Sequence, residues 1–167
     1  PGAEELRRGL EALRPGLRVV DLTGRAPLRT TIAVIAGARL CIGNDTFTAH
    51  AAASQGVSAV TVVGGGHLGR FLPYHPGSVT VAMPLACAGC DWRCVHDRAH
   101  CIRDVPAGAV ADAVRLALAP GSGKPRVVLT GPPLEGPGGA SLPAWLAPRV
   151  EAIPWRAPAG VALTVTR

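Results

Sequence analysis

An α/β fold, a parallel sheet with flanking helices, is predicted by three observations. Short apolar runs alternate with stretches of helical period, the two are separated by Gly, Pro and Thr punctuation, and one run passes directly into a polar cluster that opens an alanine-rich stretch. That run is Ala38-Arg39-Leu40-Cys41-Ile42, and the cluster is Gly43-Asn44-Asp45-Thr46-Phe47-Thr48-Ala49-His50.

Taken in order, residues 3 to 14 place Leu6, Leu10 and Leu13 at spacings of four and three, with Glu4 and Glu5 ahead of the arginines. This predicts a helix that Pro15-Gly16 ends. Leu17 to Leu22 predicts a short strand closed by Thr23-Gly24, and Pro27 opens a second helical pattern through Ile32, Ile35 and Ala36. Leu40 to Ile42 predicts the next strand, Asp45 to Gln55 a helix ended by Gly56, and Ser58 to Val63 another strand. A glycine-rich loop, GGGHLGRFLPYHPG, leads to a strand over Ser78 to Met83, and Pro106 to Ala119 predicts a last amphipathic helix. The expected division is a domain over 1–119 with a cysteine-rich loop at 85–103, a Gly/Pro linker at 120–125, and an extension of undetermined fold over 126–167, opening on a candidate strand at Arg126 to Leu129.

The 167 residues suffice for one ordinary domain with its own core. A hydrophobic content of 48% against 17% charged residues excludes a disordered chain. The net charge of +6 suits an anionic partner, but the basic residues are scattered singly and aromatics make up only 4%, which argues against a nucleic-acid footprint. A small anionic ligand or a peripheral approach to an acidic membrane fits better. No apolar run approaches the roughly 20 residues that span a bilayer, and no signal-peptide pattern opens the chain, so the expected location is cytoplasmic, with contact at the inner membrane face as an option. A start at Pro1 rather than Met reads as a fragment of a longer protein.

The junction at 43–50 is where α/β proteins hold anions, because unpaired N–H groups and the positive end of a helix dipole meet there. Thr46 can cap the helix or donate its hydroxyl, the N–H groups of Thr46, Phe47 and Thr48 would point at a phosphate, and His50 falls on the same face one turn on. Asp45 suits sugar hydroxyls or the loop backbone, since like charges repel. The plainer alternative is that Asn44 and Asp45 only cap a helix. Gly64, Gly65 and Gly66 would permit close approach to a ligand, with His67 and Arg70 as candidate contacts; a purely conformational loop explains them nearly as well.

The order of motifs resembles one family, the C-terminal domain of glycosyltransferase family 9, the ADP-heptose:lipopolysaccharide heptosyltransferases and their relatives. The residues carrying the resemblance are Asp21-Leu22-Thr23-Gly24-Arg25, Ala36-Gly37-Ala38-Arg39-Leu40, Gly43-Asn44-Asp45-Thr46 with His50, and the Gly-rich loop ending in Arg70, Pro73 and Tyr74. Pro84-Leu85 and the cysteines follow, so coverage runs from about residue 1 to 119. The resemblance implies the second, Rossmann-like half of a GT-B glycosyltransferase and an ADP-heptose-like nucleotide sugar as donor. It also implies inverting transfer to a glycan, lipid or protein acceptor. The catalytic carboxylate and the opening strand, with its phosphate-contacting basic residue, would lie in segments this chain lacks, and the N-terminal GT-B half is then the partner it needs. Donor-binding residues carried over on this basis are Asn44, Asp45, Thr46, Phe47, Thr48, His50, Gly65, His67 and Arg70, and Glu4 is a loose candidate for the ribose contact. The family continues with Gly and Pro where this chain has Phe47 and Thr48, which bears on donor identity and on donor binding itself.

Cys87, Cys90, Cys94 and Cys101 lie close together, whereas Cys41 sits alone in a strand. In a cytoplasmic protein four such close cysteines favour metal over disulfides, and a structural zinc, or an iron as the resemblance to the similar cysteines of protein-heptosylating relatives implies, is weighed evenly against free thiols. No cofactor is required for the chemistry itself. His96 and His100 are substitute ligands of lower standing. The leading expectation is therefore a nucleotide-sugar-dependent glycosyltransferase. The alternatives are a noncatalytic GT-B-like domain with a cysteine-bound metal and a thiol-based metal or redox module.

Overall fold

The computed structural model describes residues 2–71, 75–121, 123–131, 142 and 146–156. Pro73, Tyr74 and most of the expected extension lie outside the described residues. The chain divides into two units, Pro1–Val34 and Ile35–Arg167.

In the first unit, α1 (Ala3–Leu13) buries none of its residues. Its order comes from its own surface: the Arg7 guanidinium donates to Glu4 at 2.6 and 3.0 Å and to Glu11 at 2.8 and 2.9 Å, partners three positions before and four after it on one helical face. The strand expected at Leu17–Leu22 does not form, and these residues join no ladder among the described residues. β-branched side chains favour a strand only where a neighbouring strand takes up the backbone groups, and Val20 is left 63% exposed. The segment closes in a turn in which the Thr23 N–H donates to Asp21 Oδ1 at 2.9 Å, holding that carboxyl below its usual value. Helix α2 (Leu28–Ala36) then starts one residue after Pro27, whose carbonyl accepts from the Thr31 N–H at 3.0 Å.

The second unit is built on five parallel strands, β1 (Cys41–Asn44), β2 (Ala59–Val63), β3 (Val79–Ala82), β4 (Arg126–Leu129) and β5 (Glu151–Pro154), hydrogen-bonded in the order β1-β2-β3-β4-β5. Strands covered on both faces read as near-continuous apolar runs, and β3 is buried at every position. Between them run α3 (Phe47–Ser54), the single turn α4 (His100–Arg103) and α5 (Ala107–Leu118). Helix α5 brings Ala109, Ala113 and Ala117, four residues apart, against Val60, Val79, Val81 and Val128. Small side chains let the helix lie close to the sheet. Helix α3 packs Ala51 and Ala52 against Cys41 and Ala59, which are paired neighbours in β1 and β2. Because alternate residues of β2 point to opposite faces, Ala59 under α3 and Val60 under α5 place these helices on opposite sides.

The segment expected to be a linker, 120–125, is only the connection from α5 into β4, and β4 and β5 continue the same sheet instead of starting a separate extension. A buried cation secures the connection: Arg126 is 4% exposed and donates to the Leu116 carbonyl at 2.7 Å, an acceptor near the end of α5 that it shares with the Ala119 N–H at 3.2 Å.

Candidate functional site

The ends of β1 and β2 lie side by side, Asn44 in register with Val62, and the ladder extends one residue further, the Asp45 N–H donating to the Val62 carbonyl at 3.1 Å. Thr46 then sits at the N-cap of α3 in an extended conformation, φ −143° and ψ −177°, and makes no side-chain cap hydrogen bond. Its hydroxyl turns back to the Asn44 carbonyl at 3.4 Å. The first turn of α3 therefore opens at the C-terminal end of a parallel sheet, the side on which such sheets bind ligands, without a cap bond from the Thr46 side chain.

Around this opening the side chains divide by exposure. Asp45 is turned inward, its carboxylate 9% exposed and 3.6 Å from His50 Nε2, whereas the His50 side chain is 44% exposed. Thr48 is half-buried, while Asn44 is exposed and Phe47 is 45% exposed at the first helical position, outside the core. The helix buries Ala49, Ala51 and Ala52 in its place.

The loop after β2 rises from the same end of the sheet. Leu68 anchors it in the buried cluster that also holds Ala49 of α3 and Val63 of β2, so loop and helix start share one packing unit. His67 is half-buried and Arg70 is exposed; the Arg70 guanidinium meets Asp91 at 3.1 Å and lies 5.3 Å from the centre of the Phe71 ring. His67 Nε2 stands 3.5 Å from the same Asp91 oxygen. The two candidate contacts are thus brought together by one carboxylate.

Residues 2–96, more than half of the chain, match the model of glycosyltransferase family 9 (heptosyltransferase). The chain belongs to glycosyltransferase family 9. No curated protein and no solved structure matches it. The family 9 match covers β1, α3, β2 and β3 with both loops just described, whereas Cys101, α5, β4 and β5 fall beyond it.

Other expected contacts of this family 9 chain have different surroundings. Beside Gly65 lie Ala88 and Cys101, and its carbonyl accepts from the Gly89 N–H at 2.7 Å. The space beside Gly64 and Gly66 is likewise filled, by Trp92 and Ile102. The glycines admit another stretch of the chain's own backbone. Glu4 is held in the first turn of α1 by Arg7, whose hydrogen bonds keep its carboxyl below the usual value; dipole and ion pair account for its place there.

Among the described residues, no group of three or more His, Cys, Asp or Glu side chains is placed to hold a metal ion. The four cysteines fit a metal site in spacing but not in arrangement. Cys101 is buried on α4 against Met83 and Leu85, with Cys87 packed at the edge of that cluster, while Cys94 is exposed and its thiol faces the Arg98 carbonyl at 3.6 Å. Burial, and then the neighbouring thiols of Cys90, Cys101 and Cys94, push the Cys87 thiol up. No chemical step is assigned to a metal.

Two features escape sequence reasoning. His100 is 1% exposed and bonds through Nδ1 to Asp104, which also accepts twice from Arg98 at 3.0 Å. Trp92 reaches back over the glycine run although 25 positions separate it from His67. Neither relation has a local periodicity to reveal it.

Proposed function

We propose that this family 9 chain binds the diphosphate of an ADP-heptose-like nucleotide-sugar donor at the opening of α3 and supports inverting transfer of the sugar to a glycan, lipid or protein acceptor. The observation that carries the reading is Thr46 at the N-cap without a side-chain cap bond, in a chain whose family transfers sugars. The first-turn N–H groups and the helix dipole would take the diphosphate, and the Thr46 hydroxyl is close enough to turn toward it. His50, whose Nε2 lies 3.6 Å from the Asp45 carboxylate, would donate to a phosphate or sugar oxygen.

In the transfer, the acceptor oxygen forms its bond to the anomeric carbon as the bond from that carbon to the diphosphate oxygen breaks. The electron pair leaves on the diphosphate, and the acceptor proton passes to a base that the family resemblance assigns to the facing domain. The helix opening stabilises the charge that grows on the leaving group, which is the interaction that lowers the barrier. Among the described residues no helix is long and apolar enough to cross a membrane. The net charge of +6 supports approach to an anionic acceptor, including one at the inner membrane face.

Calorimetric titration with ADP, UDP and inorganic pyrophosphate tests the reading. Binding of ADP that weakens with salt and in Thr46→Val is expected. No binding of any of the three at millimolar concentration, also in a longer chain carrying the facing domain, would overturn it.

A further inference from the structure

We propose that Trp92 and Asp91 are positioning residues for the donor site, clamping the loop after β2 so that His67 and Arg70 are held toward the opening of α3. This rests on the diphosphate reading above for its functional consequence, but its geometry stands independently.

Asp91 and Trp92 have φ of 49° and 64°, the only described non-glycine residues in the left-handed region. A bulky residue adopts that conformation only where its surroundings over-determine it, and such strain concentrates at functional positions. The surroundings here are the glycine run. A Cβ on Gly64 would lie 2.7 Å from Trp92 Cη2, and one on Gly66 would lie 3.0 Å from the Trp92 backbone nitrogen, so the indole rests where only glycines leave room. From that seat the Trp92 N–H points at the His67 ring, 2.9 Å from Nε2 and 3.2 Å from Nδ1, with ring centres 5.1 Å apart and planes at 77°. The N–H can only donate, so the imidazole is the acceptor in this contact.

The backbone turn that seats Trp92 also aims Asp91 at Arg70 and His67. Four contacts therefore converge on the loop: indole against glycines, indole N–H to imidazole, carboxylate to guanidinium, and the Gly89 N–H to the Gly65 carbonyl. An exposed arginine loses much of its benefit to an anion through side-chain entropy, and Asp91 removes part of that loss before the ligand arrives. Leu68, between the two held side chains, ties the clamp to Ala49 in the first turn of α3.

The test uses the full chain with Trp92→Ala, Trp92→Phe, Asp91→Asn and Arg70→Ala, and two readouts. Without ligand, hydrogen exchange of residues 64–71 is expected to accelerate in W92A and D91N while β2 and β3 stay protected; W92F, which keeps a ring on the glycines, should show a smaller effect. With ADP as probe, W92A and R70A should each raise Kd about tenfold, and W92A should add little in the R70A background. Unchanged exchange, or wild-type ADP affinity in W92A, W92F and D91N, overturns the clamp. If the wild-type chain binds neither ADP nor UDP, the diphosphate reading and the clamp's role in donor binding fail together, and exchange alone decides whether the loop is held.

Discussion

The Trp155 indole N–H, just past β5, donates to the Asp112 carboxylate on α5 at 2.9 Å across 43 positions of sequence. The same ring lies over Gly108, where an added Cβ would stand 3.3 Å from Cζ2, and the Trp155 backbone N–H reaches the Leu129 carbonyl at 2.8 Å. One residue thus fastens the end of the last described strand to a helix through its side chain and to the neighbouring strand through its backbone. Trp155→Phe keeps most of the ring and leaves the carboxylate without this donor, so a loss of about 1 kcal/mol is expected in urea unfolding, and a larger one for Trp155→Ala. Equal stability of wild type and Trp155→Ala would show that the indole contacts add nothing to the fold.

Gly64→Ala would set a methyl group 2.7 Å from Trp92 Cη2 and 2.9 Å from Ile102 Cδ1. Overpacking of this kind costs roughly 1–3 kcal/mol. Removing the indole gives the methyl room, so Gly64→Ala is expected to destabilise less in the Trp92→Ala background than alone. Strict additivity in thermal melts would contradict the packing.

Phe47 stands exposed at the first position of α3, where the family resemblance places glycine followed by proline. Gly is tolerated in a first helical turn, whereas Pro would also remove the Thr48 N–H offered to the diphosphate. Phe47→Gly should leave the melting temperature nearly unchanged, because the ring lies outside the core, and should tighten ADP binding several-fold by uncovering the turn while keeping its N–H groups. Weaker binding in calorimetry would mean that the phenyl ring is itself a contact.

Asp104 gives the chain an acid-sensitive point. Its hydrogen bond from His100, and then the Arg98 guanidinium, hold its carboxyl below the usual value, and Asp97 also approaches His100 at 3.4 Å. A carboxyl depressed in the folded state stabilises above its unfolded pKa, near 4, and that contribution is lost as pH falls through the lower folded value. Wild type should therefore lose stability below about pH 4 more steeply than Asp104→Asn, as read by denaturation midpoints across an acid series. Parallel curves would remove Asp104 from the account.

Thiol labelling should follow burial. Cys94 is exposed, Cys87 and Cys90 are half-buried, and Cys41 and Cys101 are each 8% exposed. Since the thiolate reacts and burial raises the thiol pKa, mass spectrometry should find Cys94 modified first and Cys41 and Cys101 last, with Cys87 slowed. Labelling of the four clustered thiols that accelerates together only after chelation would reveal a bound metal.

What could be read from the sequence follows the range of the forces involved. Helix α5 and strands β2 and β3 come from local patterns, an apolar stripe and β-branched runs, so their bounds agree within one or two residues of expectation. The helix opening at Thr46 was legible because a strand end, a polar cluster and an alanine run are contiguous. Leu17–Leu22 has strand composition without a strand's neighbour, and composition cannot report the neighbour. β5 is the reverse case: Glu151-Ala152-Ile153-Pro154 looks like loop and is a strand because β4 lies beside it. The seating of Trp92 on Gly64 and Gly66 is likewise long-range. Three glycines announced a close approach but not what approaches.

The outer strands of the sheet differ in a way that directs its growth. β5 carries Glu151 and ends in Pro154, which has no N–H to offer, and both features discourage another strand from docking there. β1 has no proline, is paired on one side only among the described residues, and shows Ile42 58% exposed. A further strand, from this polypeptide or another, is thus steered to the flank beside Thr46, where it would wall the opening of α3 instead of lengthening the remote side.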